Sequence, residues 1–131
     1  MAFKHLVPLL ALPMAGCLSF GGGQASLAPS AGVKALGEGL VGQSALASRL
    51  PADAKAKALA AEFQALEYTP AGQPVTWSAD GYSGQVVPTQ PYRVGSQDCR
   101  AYSQTINGGK QPIRTLGTAC KTPDGLWKPV A

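Results

Sequence analysis

Two cysteines, Cys99 and Cys120, stand on either side of Asn107-Gly108-Gly109-Lys110, and this arrangement limits the fold more than any other part of the chain. The Asn-Gly-Gly run is tight-turn chemistry, and residues 97–106 and 111–120 are strand-like, so the expected unit is a β-hairpin. If Gly108-Gly109 is a two-residue loop, Cys99 falls opposite Thr118 and diagonal to Cys120 on the same face. A one-step change of loop, or a bulge, brings the cysteines directly opposite. Either register lets the thiols meet, closing a loop of about twenty residues and stabilising by about 3 kcal/mol in the chain-entropy picture. The competing reading, a metal or redox pair, lacks a CxxC spacing, and the single histidine of the chain is His5.

Around this hairpin, short strand-like runs alternate with turns. Residues 73–78 read as a strand and 79–84 as a turn. Residues 85–94 are extended but interrupted by Pro88 and Pro91, which fits an edge or irregular strand. Pro123-Asp124-Gly125 then turns the chain into a last strand over 126–130. The expected product is an antiparallel meander of four or five strands, with Trp77 and Trp127 as core or edge anchors.

The segment before the meander is helical. Pro51-Ala52-Asp53 is a helix start, since Pro suits the first turn and Asp53 suits the positive end of the dipole. Ala52, Ala56, Leu59, Phe63 and Leu66 recur at three- and four-residue steps as one apolar stripe, with Lys55, Lys57, Glu62 and Glu67 expected to point elsewhere. The economical partner for that stripe is a sheet face, giving an α+β fold. Upstream, Val33, Leu36 and Leu40 keep helical spacing among Gly37, Gly39 and Gly42. Lys34 and Glu38 are four apart and could pair on a solvated face.

The N-terminus has a different logic. Lys4 and His5 precede an apolar run over residues 6–12, followed by Met14-Ala15-Gly16-Cys17. This is the layout of an export signal ending in a lipidation cysteine, so the mature chain is expected to begin at Cys17. The apolar run is far shorter than the roughly 20 residues a membrane-spanning helix needs. Acyl chains on Cys17 (palmitate among them) would provide the anchor, each buried CH₂ contributing about 0.8 kcal/mol. The expected division is a signal over 1–16, a flexible tether over 17–31, a helical segment over 32–67 and a β-domain over 68–131.

Charged residues make up only 14 % of the chain and the formal charge is +4, one cation of which is Lys4 in the signal. That basicity is too modest to argue for nucleic acid. Without a histidine after residue 5, Ser/His and Cys/His nucleophilic pairs are excluded from the mature chain. Asp80 and Asp124 each precede a glycine in a turn, which assigns them local roles. No catalytic residue, metal ligand or cofactor is expected. The candidate binding surface is Tyr92, Arg93, Arg100, Tyr102 and Arg114, an aromatic and basic set suited to a polyanion or glycan.

Read together, several motifs resemble a known family. They are Gly72-Gln73-Pro74-Val75-Thr76-Trp77, then Asp98-Cys99-Arg100-x-Tyr102, then Gly117-Thr118-Ala119-Cys120-Lys121-x-Pro123-Asp124-Gly125-x-Trp127. In these the chain resembles the bacterial surface-antigen lipoproteins related to the rickettsial 17 kDa surface antigen. The resemblance runs from about Ala60 to Trp127 and implies an outer-membrane lipoprotein with a small C-terminal β-domain. Members also carry a lipobox cysteine, matched here by Cys17, and a long glycine zipper. In this chain the glycine-rich stretch over 32–42 is short and interrupted by charge.

The functional expectation is a non-catalytic envelope lipoprotein with a structural or assembly role. Its partners would be the membrane, through Cys17, and envelope polymers or outer-membrane proteins. The alternative is an envelope binding module, such as an inhibitor of a cell-wall hydrolase, working through the Tyr92/Arg93 strand and the Gly108-Gly109 tip.

Overall fold

The computed structural model describes residues 30–130; the expected signal, Cys17 and nearly all of the tether lie outside the described residues. The elements are α1 (Ala31–Ala35), α2 (Gly39–Gln43), α3 (Ala52–Tyr68), β1 (Val75–Ala79), β2 (Tyr82–Pro88), β3 (Tyr92–Val94), β4 (Gln97–Asn107), β5 (Ile113–Lys121) and β6 (Trp127–Val130). The fold is α+β: an antiparallel sheet in the order β1-β2-β4-β5-β6, with β3 also paired to β4 and the helices packed on one face.

The sheet has six strands because the prolines cut one expected run in two. β2 ends at Pro88, regular pairing lapses over Thr89–Pro91, and β3 resumes in the same direction alongside the same neighbour, β4. Residues 85–94 are therefore irregular, and their two halves differ: β2 lies between β1 and β4, while β3 pairs with β4 alone and is an edge strand. β1 no longer runs beside β2 at Pro88, so the missing N–H of that proline removes nothing from the β1 ladder.

The β1–β2 turn is tighter than expected. Asp80 and Gly81 alone make it, both in the left-handed region (φ 53° and 83°), and Ala79 pairs directly with Tyr82. This is the two-residue hairpin geometry whose twist matches the flanking strands. The β4–β5 connection is looser than two residues: Ile106 pairs with Ile113, and the loop spans the residues between them. Pro112 has no N–H to give to a ladder, so pairing begins only at Ile113. That register sets Cys99 directly opposite Cys120, and the two are joined in a disulfide.

The core lies between the sheet and α3. The helix presents Ala54, Ala58, Ala61, Ala65 and Leu66 to Trp77, Val86, Tyr102, Ile106, Ala119 and Trp127, all buried. The alanines bring the helix close to the sheet. The buried stripe is thus rotated from the expected one: Ala52 and Ala56 are exposed, while Leu59 and Phe63 are partly buried at the edge of the core. The largest departure is Glu62, expected to face solvent and found fully buried. The cause is a second layer of helix. α1 and α2, separated at Gly37, fold back over α3 and bury Leu36, Leu40 and Val41. Each fully buried leucine contributes about 1.5–3 kcal/mol of transfer free energy. Lys34 and Glu38 lie on either side of that break and form no ion pair; the ion pairs among the described residues are Arg93–Asp98 and Lys121–Glu67.

Candidate functional site: the open face of the sheet

A β-strand sends alternate side chains to opposite faces, so the register decides which residues share a surface. On β4, Arg100, Tyr102, Gln104 and Ile106 face the helices, while Cys99, Ala101, Ser103 and Thr105 face away. The expected surface therefore separates into two groups. Tyr92 and Arg114 lie on the open face, exposed, and Arg93 is exposed in a 3.1 Å pair with Asp98. Arg100 and Tyr102 are buried on the other face and form no surface with them.

Arg100 is a structural cation. Its Nη1 donates to the carbonyls of Leu66 (2.9 Å) and Ala65 (3.2 Å), its Nη2 to Thr69 (2.9 Å) and its Nε to Thr89 (2.9 Å). Three of these acceptors sit at the C-terminal end of α3, where carbonyls lack intrahelical partners and the dipole favours a cation. Burial lowers the pKa of the guanidinium, but an arginine stays charged at any physiological pH. The Tyr102 phenol is buried without a hydrogen-bond partner, and burial raises its pKa, with the neighbouring Glu62 adding to the shift.

Two further groups tie the helical layer to the sheet. Trp77 Nε1 donates to Gln104 Oε1 at 2.8 Å, and Gln104 Nε2 donates to Ala58 O and to Glu62 Oε2. Gly84 sits beneath the Trp77 ring, where a Cβ would fall 2.5 Å from Nε1, so only glycine lets the indole lie flat on β2. At the other end of α3, Glu67 Oε2 accepts from Trp127 Nε1 at 2.7 Å and pairs with Lys121 Nζ at 3.5 Å.

The open face is chemically distinct. Its strand positions are Thr76 and Ser78 on β1, Ser83, Gln85 and Val87 on β2, and Tyr92 and Val94 on β3. They continue through Gln97, Ala101, Ser103 and Thr105 on β4, Arg114, Leu116 and Thr118 on β5, and Lys128 and Val130 on β6. Among the described strand residues its ionic side chains are Arg114 and Lys128, and the one acidic strand residue, Asp98, has the opposite parity. Leu116 is 65 % exposed and Val94 57 %, with Tyr92 and Val130 close to half. Between Val87, Ser103, Arg114, Leu116 and Thr118 the surface dips into a hollow of about 340 Å³. Hydroxyls and amides flanked by cations hydrogen-bond readily to hydroxylated or anionic partners.

Among the described residues no group of three or more His, Cys, Asp or Glu could hold a metal ion, and no helix is long and apolar enough to cross a membrane. Of the perturbed titratable groups, Glu62 is fully buried beneath α2, Arg100 is held at the C-terminal end of α3, and Tyr102 is buried at the floor of the hollow between β2 and β5. The fold defines a small helix-backed antiparallel sheet domain, closed by a cross-strand disulfide of the kind kept in oxidising compartments.

Comparison with known proteins places this domain more narrowly. Residues 64–128 match the family model of the 17 kDa outer membrane surface antigen. The "17 kDa surface antigen" of Rickettsia felis is 43 % identical over 70 residues, and that of Rickettsia prowazekii 45 % over 71; each alignment covers 51 % of this chain and 44 % of the relative. The protein of the same name from Rickettsia bellii is 40 % identical over 70 residues. No solved structure matches. Through residues 64–128 the chain is related to the 17 kDa surface antigens, and it spans less than half the length of these relatives. The matched stretch begins inside α3 and includes the whole sheet nearly to its last strand residue, so α1, α2 and the first turns of α3 lie before it.

Proposed function

We propose that the protein is a non-catalytic lipoprotein of the bacterial outer membrane, anchored through acyl chains on Cys17, with a structural or assembly role in the envelope. The observation that carries this reading is the match of residues 64–128 to a family described as outer membrane surface antigens. The Met14-Ala15-Gly16-Cys17 motif supports the anchor, and the disulfide supports an exported location. In this reading the helical face holds the domain together and the open face meets envelope polymers or outer-membrane proteins. Its hydroxyls, amides and unopposed cations suit a partner carrying sugars and negative charge.

The test is fractionation of cells producing the wild-type protein or Cys17→Ser, together with the intact mass of the membrane-extracted form. Cleavage before Cys17, added acyl mass and release of the variant from membranes are the expected results. Tight membrane association of Cys17→Ser removes the anchor from the reading.

A further inference from the structure

The hollow on the open face exists because of where short side chains fall in the register. β4 forms its floor, and the side chains that this strand turns outward there are Ala101 and Ser103. Val87 of β2 stands on one side, and Arg114, Leu116 and Thr118 of β5 stand on the other, so longer groups flank shorter ones. The depression measures about 340 Å³, enough for a ring-sized group. Three kinds of chemistry meet in it: the aliphatic carbons of Val87 and the largely exposed Leu116, the hydroxyls of Ser103 and Thr118, and the guanidinium of Arg114. No acid is among the lining residues, and Arg114 belongs to neither ion pair among the described residues.

A pyranose that carries a carboxyl matches this set. Its C–H faces rest on aliphatic side chains, its hydroxyls exchange hydrogen bonds with Ser and Thr, and the guanidinium fork can grip its carboxylate with two N–H donors. The second cation of the face sets a direction. Lys128 pairs with Cys120, six positions beyond Arg114 on β5, which is about 20 Å at roughly 3.4 Å per residue. One small anion cannot touch both cations across that span. A chain of sugars running along β5 can, and it crosses Leu116 and Thr118 on the way. The Cys99–Cys120 disulfide lies in the same row as Lys128 and ties β4 to β5 there, so the strip is held in shape before any ligand arrives. An anionic membrane is a poorer occupant: surfaces that dock on such lipids carry clusters of about four to eight cations, and a flat bilayer makes no use of a hollow lined by hydroxyls.

We propose that the hollow is a subsite for one carboxylated sugar, and that the strip from Arg114 to Lys128 binds a length of acidic polysaccharide laid along β5. The proposal rests on the reading of the open face as the surface that meets envelope polymers, and names the polymer's chemistry and its path. It does not depend on the lipid anchor.

The test is a titration of the full chain with galacturonate oligomers, from the disaccharide to lengths that span both cations, followed by backbone amide NMR shifts at low salt. Neutral dextran oligomers and anionic phospholipid vesicles are the two other probes. The long oligomers should bind, with the largest shifts at Ala101, Ser103, Leu116 and Thr118, and added salt should weaken them. R114Q should weaken the disaccharide and the long oligomers about fivefold. K128Q should weaken the long oligomers by about the same factor, the scale of one exposed ion pair, and leave the disaccharide unchanged. Both side chains are exposed, and the shift map of the unmodified protein needs neither variant. Equal binding of dextran, shifts centred away from the hollow, or R114Q and K128Q acting alike at every length would each overturn the proposal. Vesicle binding without oligomer binding would make the face a membrane contact and overturn it as well. Failure of every probe to bind also overturns the subsite, while attachment through Cys17 is read separately by fractionation, so the two readings fail independently.

Discussion

The two faces of the sheet are built from the same strands and follow opposite rules. On the helical face the two buried ionisable side chains are each matched to a helix end: Glu62 to the N-terminus of α2, Arg100 to the C-terminus of α3. Both have the sign that the helix dipole favours at that end. On the open face the charges, Arg114 and Lys128, are exposed, of one sign and without a partnering acid. The first arrangement makes the fold specific, because each buried ion is acceptable only where its partners stand. The second leaves its ionic groups available to another molecule. A residue's chemical type therefore says little about its role until its parity on the strand is known: Arg100 and Arg114 are both strand arginines, and only one is free to bind.

The contrast is open to direct attack. The largest effect is expected from Arg100→Ala, which leaves three carbonyls at the end of α3, and that of Thr89, without their donor. A loss of about 3–5 kcal/mol in urea unfolding is expected, on the scale of removing one member of a buried charged network. Cys99→Ala combined with Cys120→Ala should cost about 3 kcal/mol, read as a difference in melting that disappears when the wild type is reduced. Gly84→Ala forces a methyl under the Trp77 ring and should cost about 1–3 kcal/mol, with a change in indole fluorescence. On the open face, Leu116→Ser and Arg114→Ala should each move stability by less than about 0.5 kcal/mol. A loss above 1 kcal/mol for Leu116→Ser would mean that this face is packed rather than open. Exchanging both open-face cations in R114E/K128E should abolish co-sedimentation with acidic polysaccharide while leaving melting unchanged; retained binding would move the contact elsewhere.

Much of the sheet was legible beforehand because its signals are local. The Gly108-Gly109 turn, the interruption at Pro88 and Pro91, and the Pro123-Asp124-Gly125 turn bound strands within a few residues of their observed ends. The cysteine pair was legible because both possible registers brought the thiols together. The face assignment was also within reach: Arg100 and Tyr102 are one and three residues from Cys99, so a period of two already separates them from it. The aromatic and basic character of the five residues grouped them as one surface, against that parity. Glu62 was harder to foresee. Its burial depends on α2 folding back across α3, a contact more than twenty residues away, and an acid among lysines on an alanine-rich helix otherwise reads as solvated. The sequence does contain one hint: Gly39 followed by Leu40 and Val41 leaves backbone amides exposed beside apolar side chains, with no capping residue of their own.

The place of the disulfide has a mechanical consequence. It joins β4 to β5 at the end of the hairpin remote from the turn. A pull transmitted from the N-terminal side reaches β4 at Cys99 and passes across the sulfur bridge to Cys120. The residues between them carry no load and keep their length out of the extended chain. At about 3.3–3.6 Å per residue, that hidden length is roughly 70 Å. A stretched molecule thus retains its longest hairpin as a stiff bead, and reduction alone would release the slack.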